Sequence, residues 1–280
     1  MKLCRLRKGE AIVPSVVVDD IHHDLSSVVA DIDADFFQSG GLALLANLDI
    51  ATLPVIAEHD GFAPCVTKPS KILCIGLNYH DHAKEAGMDI PKEPVVFFKA
   101  PSSLSGANDP IPFPPGATML DWEIELAIVV GRRTKRAMMD TAMDAIAGYM
   151  VLNDVSERNW QLMRGGQWAK GKSHDGFTPI GPYLVPAGSV ESPDAFDLSL
   201  KVNGEVMQSG STADFIFDLA SVIVHLSEFM TLEPGDIITT GTPAGVGFGM
   251  DPKTFLKPGD VVETSIAGLG TQTQTVAAEA

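Results

Sequence analysis

The pattern of apolar and polar positions changes near residue 65. Before that point, short apolar runs alternate with acidic spacers and are interrupted at Gly40-Gly41. After it, apolar runs are separated by glycine and proline, which is typical of strands joined by turns. These runs cover 71–76, 95–98, 120–130, 148–154, 198–202, 236–240 and 260–264. We therefore predict a small N-terminal domain over 1–65 and a larger domain over 66–280, in an α+β fold that is rich in strands.

Helical periodicity is confined to four segments, 80–86, 138–147, 157–163 and 212–230. The last segment begins with good capping residues and carries apolar side chains at helical spacing, so we expect a core helix there. Asn203-Gly204 lies between two apolar runs and readily takes the positive φ angles of a type I′ turn, which predicts a β-hairpin. The helices are expected to pack outside a mixed sheet.

The composition is that of an ordinary globular chain, with 45% hydrophobic and 20% charged residues. No apolar run approaches the roughly 20 residues of a membrane span, and the first residues lack the apolar core of a signal peptide, so we expect a cytoplasmic protein. Cys4, Cys65 and Cys74 are odd in number and show no close pairing, which argues against a disulfide framework. The net charge of −16 would repel nucleic acid and anionic lipid, so neither is an expected partner.

Acidic residues gather at two predicted strands. In the first, a period of two places Asp121, Glu123 and Glu125 on one face, while the second delivers Asp154 at its end. Buried neighbouring carboxylates repel each other unless protons or a cation compensate, so a hard divalent ion, Mg²⁺ or Mn²⁺, is the favoured interpretation. An acidic strand edge that discourages aggregation is the alternative. The apolar run 126–130 looks buried on both faces and favours the metal.

His82 and Glu85 are three residues apart in a segment with helical periodicity, so they share a face. The carboxylate could then orient the imidazole and raise its basicity, which is the arrangement of a general base for water. A solvated surface helix explains the same two residues. A zinc site at His80-Asp81-His82 lacks supporting ligands elsewhere.

Residues 166–173 match the P-loop pattern GxxxxGKS, which makes nucleotide binding a rival interpretation. The match lacks its usual setting, because a P-loop follows a buried strand, and the residues before this segment look helical. Lys172 remains a candidate cation for a substrate carboxylate or an enolate. The turn 241–247 follows a strand and would let Thr242 donate a hydrogen bond to a ligand, although a plain tight turn fits equally well.

Taken in order, five motifs together resemble the fumarylacetoacetate hydrolase family, from about Lys71 to the C-terminus. They are Gly76-Leu77-Asn78-Tyr79 with His82 and Glu85, then 121–125, 153–156, 170–173 and 241–246. The chain is most similar to the short acylpyruvate and diketo-acid hydrolases of that family. His174 departs from the pattern, since members often carry an aromatic residue there, and this puts the substrate preference in question.

The resemblance implies a mixed, β-roll-like fold, usually a homodimer, whose substrate is a small oxo acid. It implies Mg²⁺ or Mn²⁺ bound by Glu123, Glu125 and Asp154, and cleavage of a carbon–carbon bond in a 2,4-dioxo acid such as an acylpyruvate, fumarylpyruvate or a diketo-deoxy sugar acid. A 2-oxo-acid decarboxylase or isomerase is the alternative. The residues with implied roles at the substrate are His82 and Glu85 as activators of water, often on a lid, Lys172 as an assisting cation, and Thr242, Tyr79, Arg158 and Gln161 as substrate contacts.

Overall fold

The structure is a computed structural model, and it describes residues 1–279. Over this range the strands are β1 (Lys2–Lys8), β2 (Ala11–Val18), β3 (Ile21–Asp24), β4 (Gly61–Ala63), β5 (Ile72–Gly76), β6 (Val95–Lys99), β7 (Leu104–Gly106), β8 (Ile111–Phe113), β9 (Leu120–Asp121), β10 (Ile124–Val130), β11 (Ile146–Asn153), β12 (Ser156–Glu157), β13 (Thr178–Ile180), β14 (Val185–Pro186), β15 (Asp197–Val202), β16 (Glu205–Ser211), β17 (Ile237–Thr239), β18 (Val261–Ile266) and β19 (Gly270–Ala278). The α-helices are α1 (Ala34–Gln38), α2 (Gly41–Ala46), α3 (His80–Glu85), α4 (Ala169–Lys172) and α5 (Leu219–Phe229).

The strands form four sheets. The largest has the order β6-β5-β17-β10-β11-β13-β7, with β14 also paired to β11, and a five-stranded sheet has the order β16-β15-β18-β19-β8. Both are mixed, since β17 runs parallel to β5 and β19 runs parallel to β8. The strand-rich α+β prediction is confirmed. Among the described residues, no helix is long and apolar enough to cross a membrane.

The N-terminal strands form a sheet of their own, in the order β3-β2-β1-β4, and are followed by α1 and α2 before β4 closes the sheet. This part is joined to the rest by backbone hydrogen bonds in both directions between Leu3 and Leu184, each 2.8 Å long. Its apolar side chains, including Phe36, also share one hydrophobic cluster with Ile72 and Ala127 of the larger part. The division at residue 65 stays a prediction, and the two parts are packed together rather than tethered.

The core of the larger part lies around β10 and β11. Every residue of both strands is buried, as the run of apolar letters predicts. The two strands pair antiparallel, with Ile124 opposite Asn153. This register places the first residues of β10 beside the last residues of β11, where the acidic residues lie. α5 adds Leu219, Val222 and Leu226 to the same core.

The local predictions had mixed outcomes. The hairpin is confirmed, with φ angles of 52° and 83° at Asn203 and Gly204. The predicted helix over 138–147 is wrong, because only Ala142–Ala145 forms a 3₁₀ turn and the chain then enters β11. The long C-terminal helix is shorter than 212–230: α5 begins after Asp218, whose carboxylate caps it by accepting a hydrogen bond from the backbone of Ser221.

Candidate active site

Three acidic side chains meet where β10 begins and β11 ends. Glu123, Glu125 and Asp154 each offer a carboxylate oxygen, and these oxygens lie within 4.8 Å of one another in the interior. The antiparallel register explains the meeting, since the backbone amide of Asp154 donates to the carbonyl of Glu123 at 2.8 Å. The side chain of Asn153 accepts a hydrogen bond from the amide of Glu123 at 3.1 Å and fixes the same junction.

Asp121 does not join this triad, contrary to the strand period. The strand is interrupted between β9 and β10, so the alternation that would align Asp121 with Glu123 is broken. The carboxylate of Asp121 instead accepts hydrogen bonds from the backbone amides of Gly247 at 2.7 Å and Phe248 at 3.0 Å, and from Nε of Arg158 at 2.8 Å. Asp121 therefore holds a loop and an arginine in place.

Three buried cations surround the triad. Nζ of Lys172 lies 2.7 Å from Oε2 of Glu123 and 2.6 Å from Oδ2 of Asp154. Nζ of Lys99 lies 2.5 Å from the other oxygen of Asp154, and Nη2 of Arg158 lies 2.6 Å from Oε1 of Glu123. Lys99 was not recognised as a site residue from the sequence. A lysine at the end of the apolar run of β6 was the available signal, because such a lysine is buried only when it is paired.

Glu125 is the carboxylate of the triad without a lysine or arginine partner among the described residues. Its Oε2 accepts a hydrogen bond from the backbone amide of Gly241 at 2.8 Å. Burial, together with Asp154 and Glu123, raises the pKa of Glu125 well above its ordinary range. Burial also opposes ionisation of Glu123, but Lys172 and Arg158 prevail and lower its pKa.

This donor set fits a divalent metal ion. Three buried carboxylates are the oxygen ligands that Mg²⁺ and Mn²⁺ prefer. A cation among them would supply the positive charge that Glu125 lacks, and would offset the repulsion that raises the pKa of this side chain. Glu123, Glu125 and Asp154 are the residues that would hold it.

His82 and Glu85 form a pair on α3. Nδ1 of His82 lies 3.0 Å from Oε2 of Glu85, and Oε1 of Glu85 accepts a hydrogen bond from the backbone amide of Gly245 at 2.8 Å. The pair is therefore anchored to the glycine-rich turn rather than solvated on a surface helix. When Nδ1 carries the proton that Glu85 accepts, Nε2 is left as the basic atom of the ring.

One cavity collects most of the predicted residues. Its inner part is lined by His82, Glu123, Glu125, Arg158, Gln161, Lys172 and Thr242, while Glu85 borders the outer part. The hydroxyl of Thr242 donates to the carbonyl of Ile124 at 2.8 Å and accepts a hydrogen bond from Gln208. Its hydrogen is thus already used inside the protein. Gln208 was not recognised from the sequence, and it ties the glycine-rich turn to β10.

Tyr79 lies outside the wall of this cavity. It is fully buried, and its ring packs edge-on against Phe215 with the ring centroids 4.9 Å apart. A direct contact between Tyr79 and a substrate would require the start of α3 to move. His174 also lies away from the cavity, with Nε2 3.2 Å from a carboxylate oxygen of Glu279.

The segment that matches a P-loop has a different structure. A π-helical turn, Asn159–Met163, precedes it instead of a buried strand, and the segment ends in the four-residue helix α4. Lys172, which would face phosphates in a P-loop, is bound by two carboxylates. The segment therefore lacks the strand–loop–helix order of a phosphate cradle.

Residues 71–277 match the family described as fumarylacetoacetate (FAA) hydrolase C-terminal. The chain belongs to the fumarylacetoacetate hydrolase family. A provisionally named hydrolase of Burkholderia multivorans is 48% identical over 276 residues, which are 98% of each chain. A fumarylacetoacetate hydrolase from Exiguobacterium antarcticum has a similar structure, with a TM-score of 0.89, 34% identity and full coverage of both chains.

Other solved members have different activities in their names. A maleylpyruvate hydrolase of Sphingobium sp. SYK-6, in complex with manganese(II) and pyruvate, has a TM-score of 0.83 and 27% identity, with both chains fully covered. A 2-hydroxyhepta-2,4-diene-1,7-dioate isomerase of Mycobacterium marinum has a TM-score of 0.76 and 31% identity, covering 100% of this chain and 99% of the other. The family is therefore one of enzymes that includes hydrolases and isomerases, and the expected fold is confirmed.

Proposed function

We propose that the protein is a Mg²⁺- or Mn²⁺-dependent hydrolase that cleaves a carbon–carbon bond in a small 2,4-dioxo acid. The observation that carries this proposal is the position of His82. It is paired with Glu85 and lines the same cavity as Glu123, Glu125 and Lys172. Groups suited to activating water and groups suited to an oxo acid thus face the same cavity.

The inner cavity suits the oxo-acid end of the substrate. A divalent cation held by Glu123, Glu125 and Asp154 would supply a Lewis acid for the 2-oxo and carboxylate oxygens. Lys172 and Arg158 line the same space, and each is held there by two carboxylates. Gln161 accepts a hydrogen bond from Nη1 of Arg158 at 3.0 Å and so keeps the guanidinium oriented.

His82 is assigned the attack of water. Its Nε2 takes a proton from the water as the oxygen adds to the 4-oxo carbon, and Glu85 stabilises the resulting imidazolium. The bond between C3 and C4 then breaks, and its electron pair forms the enolate of pyruvate while the acyl group leaves as a carboxylic acid. Lys172 stabilises the enolate oxygen, and the proton from water is returned to C3. Dioxo acid and water are thereby converted to a carboxylic acid and pyruvate.

A 2-oxo-acid decarboxylase or isomerase is the second candidate. Cationic side chains and a triad that fits a metal would stabilise an enolate in decarboxylation as well as in hydrolysis. In addition, an isomerase of known structure has the same fold. These reactions need no attacking water. The anchored His82–Glu85 pair favours the hydrolase, because decarboxylation does not require a base that activates water.

The test is release of pyruvate from acetylpyruvate with Mn²⁺, with oxaloacetate assayed in parallel. We expect turnover of acetylpyruvate by the wild type, loss of about 100-fold or more in kcat for His82→Ala, and no turnover with EDTA. His174→Ala is the matched control, since its ring lies outside the cavity. Decarboxylation of oxaloacetate without turnover of acetylpyruvate would shift the assignment to the decarboxylase, and full activity of His82→Ala would refute the role of His82.

We also propose a homodimer in the cytoplasm that acts on a free small-molecule oxo acid, without nucleic acid or membrane partners. The net charge of −16 supports the last two exclusions. Light scattering coupled to gel filtration tests the dimer, and a mass of 29.8 kDa would refute it.

A further inference from the structure

The outer part of the cavity is a chamber of ≈ 490 Å³ next to the His82–Glu85 pair. This is within the range of sites that enclose small organic ligands, roughly 300–1,000 Å³. Large apolar side chains from three stretches of the chain form much of its wall: Leu77, Met88, Leu162, Trp168, Phe248 and Met250. Under the proposed function, the part of the substrate beyond the attacked carbonyl lies here.

The charges around this chamber balance, since Arg158 and Lys253 are basic and Glu85 and Asp251 are acidic. Arg158 is bound to two carboxylates, and His82 is bound to Glu85. Lys253 borders the chamber, but its Nζ lies 3.2 Å from the ring centroid of Phe248, and Asp251 borders the chamber beside it. The chamber therefore offers little net positive charge to an anionic group.

Trp168 belongs to this wall and borders both the inner and the outer space. Its indole lies against Gly76, where an added Cβ would approach the ring to 2.8 Å, and it packs edge-on against Phe97 with the ring centroids 5.3 Å apart. It precedes α4, which also carries Lys172. Residues four apart on a helix share a face and are separated by about 6 Å along the axis, so Trp168 lies one turn outward from the lysine of the oxo-acid end.

We infer that the outer chamber is a subsite for an uncharged, apolar acyl group and that Trp168 is the residue that selects it. This inference rests on the proposed function and narrows it: the substrate is an acylpyruvate with a bulky apolar acyl group, such as an aroyl group, rather than one with a distal carboxylate. Apolar contact with the indole contributes to binding, whereas a second carboxylate would lose its water in a chamber whose charged side chains have no net positive charge.

The experiment compares kcat/KM for acetylpyruvate, benzoylpyruvate and fumarylpyruvate, which differ in the size and charge of the acyl group. We expect the wild type to prefer benzoylpyruvate over fumarylpyruvate by about 10-fold or more. Trp168→Ala is expected to lower kcat/KM for benzoylpyruvate by about 10- to 100-fold and for acetylpyruvate by less than about threefold. Trp168→Phe should keep most of the preference. Trp160→Phe is the matched control, because Trp160 lines a separate surface depression.

Two results would overturn the inference. One is an equal loss for all three acids in Trp168→Ala, which would indicate a purely structural role. The other is a preference for fumarylpyruvate that disappears in Lys253→Met, which would show that the chamber recognises charge. Turnover of none of the three acids would refute the hydrolase itself. Calorimetric titration of the same acids would then decide the inference. Tighter binding of benzoylpyruvate by the wild type, lost in Trp168→Ala, would support the apolar subsite, and equal binding of the acids would refute it.

Discussion

Replacing Glu125 by glutamine is expected to stabilise the metal-free protein. Its carboxylate shares the triad with two others whose oxygens lie within 4.8 Å, and two such charges repel by about 3 kcal/mol at an effective dielectric constant near 20. Lysines and an arginine offset the other two charges, and Glu125 can escape by binding a proton, so the net effect is smaller. We expect Glu125→Gln to raise the free energy of unfolding by about 1–2 kcal/mol at neutral pH, or a few degrees in Tm.

The same substitution predicts a change in pH dependence, whose sign follows from proton binding. The pKa of Glu125 is raised in the folded state, so the folded protein holds a proton that the unfolded chain releases. The stability from this group is fully present below the ordinary glutamate pKa and is lost as pH rises through the folded-state value. We therefore expect the metal-free wild type to lose stability as pH rises from the ordinary glutamate pKa to the folded-state pKa of Glu125, and the Glu125→Gln variant to lose less over the same pH interval.

Metal binding supplies the second measurement. For a ligand that binds only the folded state, Mn²⁺ at 100 times its Kd should add about 2.7 kcal/mol to the wild type. Glu125→Gln should lose most of this gain. Thermal unfolding with Mn²⁺ or EDTA measures both effects. A metal-free variant less stable than the wild type, or one that keeps the full response to Mn²⁺, would refute the reasoning.

Glu157→Gln is the matched control for this experiment. Glu157 is also a buried carboxylate, but it accepts hydrogen bonds from the backbone amides of Thr118, Met119 and Trp160 at 2.6–2.9 Å. Its charge is therefore well stabilised, and the substitution should lower the free energy of unfolding by about 1–3 kcal/mol while leaving the Mn²⁺ response intact. Opposite signs at two buried glutamates would separate charge repulsion from a general effect of the substitution.

Two further substitutions test the supports of the site. Gly249→Ala would place a Cβ 2.6 Å from the carboxyl carbon of Glu85, so turnover should fall about 10-fold or more. Gly188→Ala is the control, because its Cβ would meet nothing within 4 Å and turnover should stay unchanged. Tm should be nearly constant in both variants. Equal activity of the two variants would contradict this. Asp121→Asn loses the ion pair with Arg158. Urea unfolding should show a free energy of unfolding lower by about 1–3 kcal/mol, and kcat/KM should also fall. Unchanged kinetics would show that Arg158 does not need Asp121 to hold its position.

Much of the site could be predicted because strand geometry is regular. An almost wholly apolar strand that ends in an acid, and a second strand with acids at a period of two, predict that Glu125 and Asp154 approach each other once the strands pair antiparallel. The hairpin at Asn203-Gly204 follows equally from local chemistry. In both cases a few neighbouring residues determine the conformation.

The predictions that proved wrong, and the contacts that were not predicted, depend on residues that are distant in the chain. The break before Ile124 sends Asp121 to a loop that lies more than a hundred residues later, and no local pattern contains that contact. Lys99 follows an apolar run and is predicted only as the end of a strand, because its partner Asp154 lies 55 residues later in the chain. The stretch 138–147 has helical periodicity, but the pairing of Ile146 with Val130 of β10 outweighs that preference, since propensity is weak compared with tertiary packing.

The arrangement of charge explains how a strongly acidic protein can bind an acid under the proposed function. Around the triad, three cations face four carboxylates, because Asp121 shares Arg158 with Glu123. This cluster therefore carries a small negative excess when all its groups are ionised, and it would repel an oxo-acid carboxylate. A divalent ion reverses the sign within the buried cluster, where screening by solvent is weak. The charge of the substrate is thus matched only in the metal-loaded protein. Glu125, which has no lysine or arginine partner among residues 1–279, is the residue through which metal binding and substrate binding are coupled.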